Sequence, residues 1–182
     1  KRMPWLLILL ALGMVVSSVV GVFETVVTQL PIIMCFQSLI LDMAGNVGTQ
    51  SLAVTIRVLM DESLTGKQKA ELVFKEMKVG LCNGGLLGLM SFVLIGLYIF
   101  AIKGKTLAFS YAVSACIGVA LLLAMLISSA VGTCIPLLFK KIKVDPAVAS
   151  GPLITTINDL VAVVSYYGLS WLFLIDLFHM AG

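Results

Sequence analysis

Two carboxylates inside apolar segments are the residues of this sequence best suited to chemistry. Asp42 and Asp159 each lie within a long apolar stretch, 31–60 and 152–175. An ionised aspartate at mid-bilayer costs about 2.5–3.5 kcal/mol on insertion scales, so it is expected to face a partner or water. Neither stretch contains lysine, and Arg57 lies about 22 Å from Asp42 along a helix. The unmatched negative charge therefore predicts a cation pathway.

The spacing of neighbouring polar residues supports this prediction. Oxygen-bearing side chains recur at helical spacing in both stretches, Asp42, Asn46 and Thr49 in the first and Thr155, Asp159 and, further along, Tyr166 in the second. Carboxylate, amide, hydroxyl and carbonyl oxygens are hard ligands that suit Mg²⁺, Ca²⁺ or Mn²⁺. Because Mg²⁺ gives up its water reluctantly, one or two carboxylates are enough to hold it as a largely hydrated ion.

A structural role is the alternative for each of these groups. A lone aspartate in a spanning helix can be protonated and hydrogen-bonded to a neighbour, so that it contributes only to packing. The four cysteines occur singly, without paired spacing, which argues against a zinc site. Asp176 and His179 follow the last apolar stretch, where an interfacial location explains both.

The elements that must position these residues are membrane spans. Apolar residues make up 60% of the chain and charged residues only 12%, whereas a soluble domain is about 45–50% apolar. Uncharged runs longer than the roughly 20 residues needed to cross a bilayer occur at Met3–Phe23, Val79–Ile102 and Thr106–Phe139. We expect one transmembrane ion-conduction domain, 1–182, with an all-α fold and five spans, approximately 4–23, 31–60, 78–102, 108–139 and 152–176.

The distribution of basic residues predicts the topology. With five spans, ten of the twelve lysines and arginines fall on one side, and only Lys103 and Lys105 fall on the other. Basic residues favour the cytoplasmic side, so the N-terminus is expected inside and the C-terminus, near His179, outside. The net charge of +3 does not indicate nucleic-acid binding, because the basic residues flank spans instead of forming a stripe. The chain starts with Lys1-Arg2, so further sequence upstream is possible.

Glycines predict how the spans pack. Gly80, Gly84 and Gly88 form a row at four-residue spacing, and Gly13, Ser17 and Gly21 form another. Small residues at this spacing let helices approach closely. Irregular backbone is expected at 44–50, where two glycines and an asparagine lie at mid-membrane depth, and 106–139 is long enough to tilt strongly or lie partly along the interface.

Two segments closely resemble the MgtE magnesium-channel family. One is Gly45-Asn46-Val47-Gly48-Thr49-Gln50, followed by Arg57, and the other runs from Asp145-Pro146 through Ser150-Gly151-Pro152 and Thr155-Thr156 to Asp159. The segment Met3-Pro4-Trp5 and the order of the five spans also agree. The resemblance covers essentially the whole chain, and the two longer segments are specific in combination.

The resemblance implies a homodimer in the cell membrane, with the pore between subunits and lined by spans two and five. Asp159 matches the family's pore carboxylate, which binds hydrated magnesium. Asn46 and the backbone at Gly45 and Thr155 match neighbouring pore positions. The family also carries cytoplasmic sensor domains upstream, which this chain does not contain, so gating by cytosolic magnesium does not follow from it.

The sequence departs from the family just before Asn46. Ser38 replaces a proline, Asp42 replaces a small residue, and Ala44 replaces a glycine. Asp42 thus adds a charge in or beside the pore. Additional carboxylate can replace part of the water shell of a cation, which favours Ca²⁺ or Mn²⁺ over Mg²⁺.

Three functions compete at this point. The first is a magnesium-type divalent-cation channel, with Asp159, Asn46, Asp42, Thr155 and Gly45 contacting the cation or its waters. The second is a secondary transporter that couples divalent-cation movement to a Na⁺ or H⁺ gradient, since intramembrane carboxylates also serve as proton relays. The third, an enzyme acting on lipid phosphates, needs more clustered carboxylates or basic groups than this chain offers, so we expect no enzyme activity.

Overall fold

The computed structural model describes residues 3–61 and 64–177, and within these ranges the chain forms only helices and turns. Lys1, Arg2 and His179 lie outside the described residues. The helices are α1 (Met3–Val22), α2 (Glu24–Gln29), α3 (Met34–Asp61), α4 (Gly66–Ala101), α5 (Leu107–Lys141) and α6 (Pro146–Leu169). A 3₁₀ turn, Pro31–Ile33, precedes α3, and π-helical Ser170–Leu177 continues α6.

Within the part of the chain that the structure describes, five helices, α1, α3, α4, α5 and α6, are long and apolar enough to cross a membrane, which confirms the predicted all-α fold with five spans. Capping residues in the local sequence determine where two of these helices begin. The Thr65 side chain accepts from the Gln68 backbone N–H, and the Gln68 side chain accepts from the Thr65 N–H, a reciprocal cap that begins α4. At the start of α5 the cap is one-sided, because only the Thr106 hydroxyl oxygen accepts from the N–H of Phe109.

Helices α4 and α5 form an antiparallel hairpin through glycine contacts. A Cβ atom on Gly88 would lie 2.7 Å from the carbonyl oxygen of Gly118, and one on Gly84 would lie 2.9 Å from Cα of Leu122. Gly80 packs in the same way against Ser129. The predicted packing role of the Gly80, Gly84 and Gly88 row is therefore confirmed, and α5 is held in the centre of the subunit.

Helix α3 packs against α5 on one side and α6 on the other. It is parallel to α5, since Gly48 contacts Gly132 and, further along, Lys140 donates to the Leu59 carbonyl. It is antiparallel to α6. The Tyr166 hydroxyl donates to the Ile33 carbonyl at 2.7 Å, and the Tyr167 hydroxyl donates to Oε1 of Gln37 at 2.6 Å. These two hydrogen bonds hold the start of α3 against the far part of α6.

The backbone of α3 is regular where irregularity was expected. One continuous helix passes through 44–50, so that prediction is wrong. A glycine costs a helix only about 1 kcal/mol relative to alanine. Unpaired backbone groups at membrane depth cost several kcal/mol each, so the helical hydrogen bonds prevail over local propensity.

Other departures are smaller. Between the first two predicted spans the chain forms the short helix α2, and 107–141 is one continuous helix with Pro136 inside it. Helix α4 begins at Gly66, twelve residues before the predicted start of the third span at residue 78. In the first span, Cβ atoms on Gly13 or Gly21 would meet no atom of the described residues within 4 Å, so these glycines do not pack against any described helix of the subunit.

Candidate cation site

Polar residues of α3 and α6 line one cavity of about 330 Å³. Its lining residues are Leu41, Asp42, Gly45, Asn46, Thr49, Thr155 and Asp159. All five residues predicted as cation contacts are among them. Of the described residues that line the cavity, two are carboxylates and none is a lysine or arginine. The helical spacing read from the sequence thus brings both polar stripes to a single place.

On α3, side-chain hydrogen bonds fix the orientation of the polar groups. The side-chain amide nitrogen of Asn46 donates to Oδ2 of Asp42 at 3.1 Å, one helical turn earlier. The Thr49 hydroxyl lies 2.8 Å from the carbonyl oxygen of Gly45 and 2.9 Å from that of Asn46, and donates its proton to the backbone. Asp42, Asn46 and Thr49 are all exposed on the surface of the subunit.

On α6, Thr155 and Asp159 are one turn apart and face the same cavity. The Thr155 hydroxyl donates to the Gly151 carbonyl at 3.1 Å. Thr155 is exposed and Asp159 is half-buried. Asp159 therefore sits deeper in the wall than Asp42, with no hydrogen bond or ion pair to another described residue.

These hydrogen bonds leave mainly acceptors facing the cavity. The protons of both threonine hydroxyls are donated to their own helices, so their oxygens present lone pairs. One amide N–H of Asn46 is engaged by Asp42, which leaves the amide oxygen available. The carboxylates are acceptors when ionised. A cavity of this kind suits ligands that donate hydrogen bonds, as the water molecules around a cation do.

The cavity has room for a cation that keeps its water. Six waters at about 30 Å³ each occupy roughly 180 Å³, which fits within the cavity's 330 Å³. Direct coordination is less well supported. Among the described residues, no three His, Cys, Asp or Glu side chains come close enough together to form a metal site. Two carboxylates contacting the ion through its water shell match this arrangement better.

Two buried polar residues of α6, Tyr166 and Asn158, were not predicted as such from the sequence. Tyr166 was expected further along the Asp159 face, but it is fully buried and bonded to the start of α3, because its large ring fills the space between these helices. Asn158 was not singled out from the sequence. It is fully buried directly beside Asp159 in the chain, and only its burial in the folded subunit reveals it.

Comparison with known proteins agrees with this arrangement. The MgtE family of divalent cation transporters matches residues 37–169, which include both polar stripes. The chain is 36% identical over 174 residues to the magnesium transporter MgtE of Bacillus subtilis and 37% identical over 174 residues to that of Enterococcus faecalis. The corresponding protein of Thermus thermophilus is 34% identical over 174 residues.

These alignments cover 95–96% of this chain but only 36–37% of the length of the three relatives. The relatives are magnesium transporters, in line with the expectation that the chain is not an enzyme. A multi-pass location in the cell membrane follows from the five spans together with these relatives. The chain belongs to the MgtE family of divalent cation transporters.

Proposed function

We propose that the chain forms a channel for hydrated divalent cations, Mg²⁺ first among them, and that the α3–α6 cavity is part of its pore. The observation that carries the proposal is the set of acceptors facing the cavity, with Asp42 and Asp159 as its charges. In this account Asp159 attracts the cation and holds it through its water shell. Asn46, Thr155 and the backbone at Gly45 accept hydrogen bonds from the remaining waters.

We also propose that two copies of the chain enclose this pore. Asp42, Asn46 and Thr155 are exposed on the surface of the single subunit although they lie within spanning helices. Polar groups in that position are costly against lipid, so they require a protein surface or water opposite them. A second copy related by a two-fold axis supplies the same polar face and doubles the number of carboxylates to four.

The positive-inside bias supports one orientation in the membrane. We propose that the Leu59 end of α3, where Lys140 and Lys141 of α5 also lie, is cytoplasmic, and that the Ile33 end is external. Cations would then enter from the Ile33 end, next to the 3₁₀ turn that precedes α3.

The test is cation uptake by liposomes that contain the purified protein and a Mg²⁺-sensitive dye. Asp159→Asn should lower Mg²⁺ uptake at least about tenfold, because hydrogen bonds to a charged group contribute roughly 1.5–3 kcal/mol. Asp176→Asn is the matched control, since Asp176 is exposed on the last helical segment and does not line the cavity.

Unchanged Mg²⁺ uptake in Asp159→Asn would contradict the proposal that this cavity is part of the pore. Uptake should also persist when pH and Na⁺ are equal on the two sides of the liposome membrane. Uptake that requires an imposed pH or Na⁺ gradient would select a coupled transporter over a channel.

A further inference from the structure

Asn158 is a buried polar residue that the proposed pore does not use. Its side chain is fully buried, and neither its amide nitrogen nor its amide oxygen has a hydrogen-bond partner among the described residues. Successive residues of a helix point about 100° apart, so Asn158 and Asp159 face different neighbours. Asp159 faces the cavity, whereas Asn158 packs against α3 at Gly48, which does not line the cavity.

The amide of Asn158 lies directly over Gly48. A Cβ atom on Gly48 would collide with Nδ2 of Asn158, and would lie 3.0 Å from its Cγ and 3.3 Å from its Oδ1. On another side, the carbonyl oxygen of Gly48 occupies the space that a Cβ atom on Gly132 would need. Helices α3, α5 and α6 therefore meet at these three residues, which we term the Asn158 junction.

Two polar groups of α5, one at this junction and one a helical turn before it, lack a usual hydrogen-bond partner among the described residues. Pro136 has no N–H, so the Gly132 carbonyl lacks the helical donor that it would otherwise have four residues later. One turn before Gly132, the Ser128 hydroxyl is fully buried and has no partner among the described residues. A donor amide, a carbonyl without its usual helical donor and a hydroxyl are the kind of groups that together hold a buried water molecule.

We propose that Asn158 is a positioning residue for the cation pathway, acting through a water molecule bound at the Asn158 junction. The bound water links the Asn158 amide to polar groups of α5 and so fixes the rotation of α6. That rotation sets the direction in which the next residue, Asp159, presents its carboxylate to the cavity. This inference rests on the proposed function of Asp159.

Asn158→Leu tests the proposal, because leucine is similar in size but forms no hydrogen bonds. The half-saturating Mg²⁺ concentration for liposome uptake should rise about tenfold, the low end of the effect of removing groups that orient a metal ligand. Preference for Mg²⁺ over Ca²⁺ should fall, and maximal uptake should be largely retained. Asn83→Leu is the matched control, since Asn83 is on α4 and does not line the cavity.

Two smaller variants keep the test decisive if leucine prevents folding. Asn158→Ala and Asn158→Ser both shorten the side chain, but only serine keeps a hydroxyl that can hold the water. The half-saturating Mg²⁺ concentration and the ion preference of Asn158→Ser should be closer to those of the original protein than the values of Asn158→Ala are. Equal values for the two variants, or an unchanged half-saturation in Asn158→Leu, would overturn the proposal.

Asp159→Asn, measured in the same liposomes, separates this inference from the proposed function. If Asp159→Asn lowers uptake while Asn158→Leu leaves half-saturation unchanged, only the positioning role is wrong. If Asp159→Asn leaves uptake unchanged, the proposed pore is wrong, and the positioning role fails with it.

Discussion

Asn46 donates a side-chain hydrogen bond of 3.1 Å to Asp42, and both residues face the α3–α6 cavity. The bond turns the amide nitrogen of Asn46 toward Asp42 and leaves the amide oxygen for the cavity. Asp42 thereby has two effects on this site. It adds negative charge, and it keeps Asn46 in the orientation that accepts hydrogen bonds from the waters of a cation.

Two variants of Asp42 separate these effects. Asp42→Asn removes the charge but keeps an oxygen that can accept from Asn46, so we expect Mg²⁺ uptake to persist while Ca²⁺ and Mn²⁺ compete less strongly. Asp42→Leu removes both the charge and the acceptor oxygen, so the Asn46 N–H is free to face the cavity. Mg²⁺ uptake should then fall several-fold further than in Asp42→Asn, because a neutral hydrogen bond contributes about 1 kcal/mol. Competition assays in liposomes with each ion measure both effects.

Glu24→Gln serves as the control for these assays. Glu24 is an exposed carboxylate in α2 that does not line the cavity, so the substitution should change neither uptake nor competition. If Asp42→Asn leaves the competition by Ca²⁺ and Mn²⁺ as it was, Asp42 does not set ion preference.

Gly48→Ala should destabilise the subunit through a collision with the buried Asn158 amide. Overpacking of this kind costs about 1–3 kcal/mol, so the unfolding temperature in detergent should fall. Gly45→Ala is the matched control, because a Cβ atom there meets nothing within 4 Å. The double variant Gly48→Ala with Asn158→Ala should recover the unfolding temperature. Failure to recover would show that Asn158 is not the group that confines Gly48.

Gly88→Ala tests the α4–α5 hairpin apart from the pore. The added Cβ atom would lie 2.7 Å from the Gly118 carbonyl, a backbone group that moves only if the helices separate. We expect a loss of about 1–3 kcal/mol in stability, with ion preference unchanged in the protein that folds. Gly85→Ala has open space and should keep the original unfolding temperature. Equal unfolding temperatures for the two variants would contradict this packing.

The sequence was sufficient to predict the features that depend on period and hydropathy. Five spans follow from apolar runs, and the meeting of Asp42 with Asn46 follows from their four-residue spacing. The packing of Gly84 and Gly88 follows from the same rule applied to small residues. These predictions succeeded because side chains return to the same face of a helix with a fixed period, whatever surrounds the helix.

Features that depend on which helices are neighbours were not predictable in this way. The sequence does not indicate that Asn158 is buried over Gly48, or that Tyr166 bonds to the Ile33 carbonyl, since both contacts join segments far apart in the chain. The row at Gly13 and Gly21 shows the converse. It has the spacing of a packing face, but none of the described helices of the same subunit packs against these glycines.

The central claim, that two Asp159 carboxylates hold a hydrated cation between subunits, is tested most directly by anomalous scattering from crystals soaked in Mn²⁺. The account predicts a peak on the two-fold axis of a dimer, about 4 Å from the nearest Asp159 carboxylate oxygens, because a water molecule lies between metal and oxygen. A peak bound to one subunit away from Asp159, or a cavity without a peak while Mn²⁺ binds elsewhere, would contradict it.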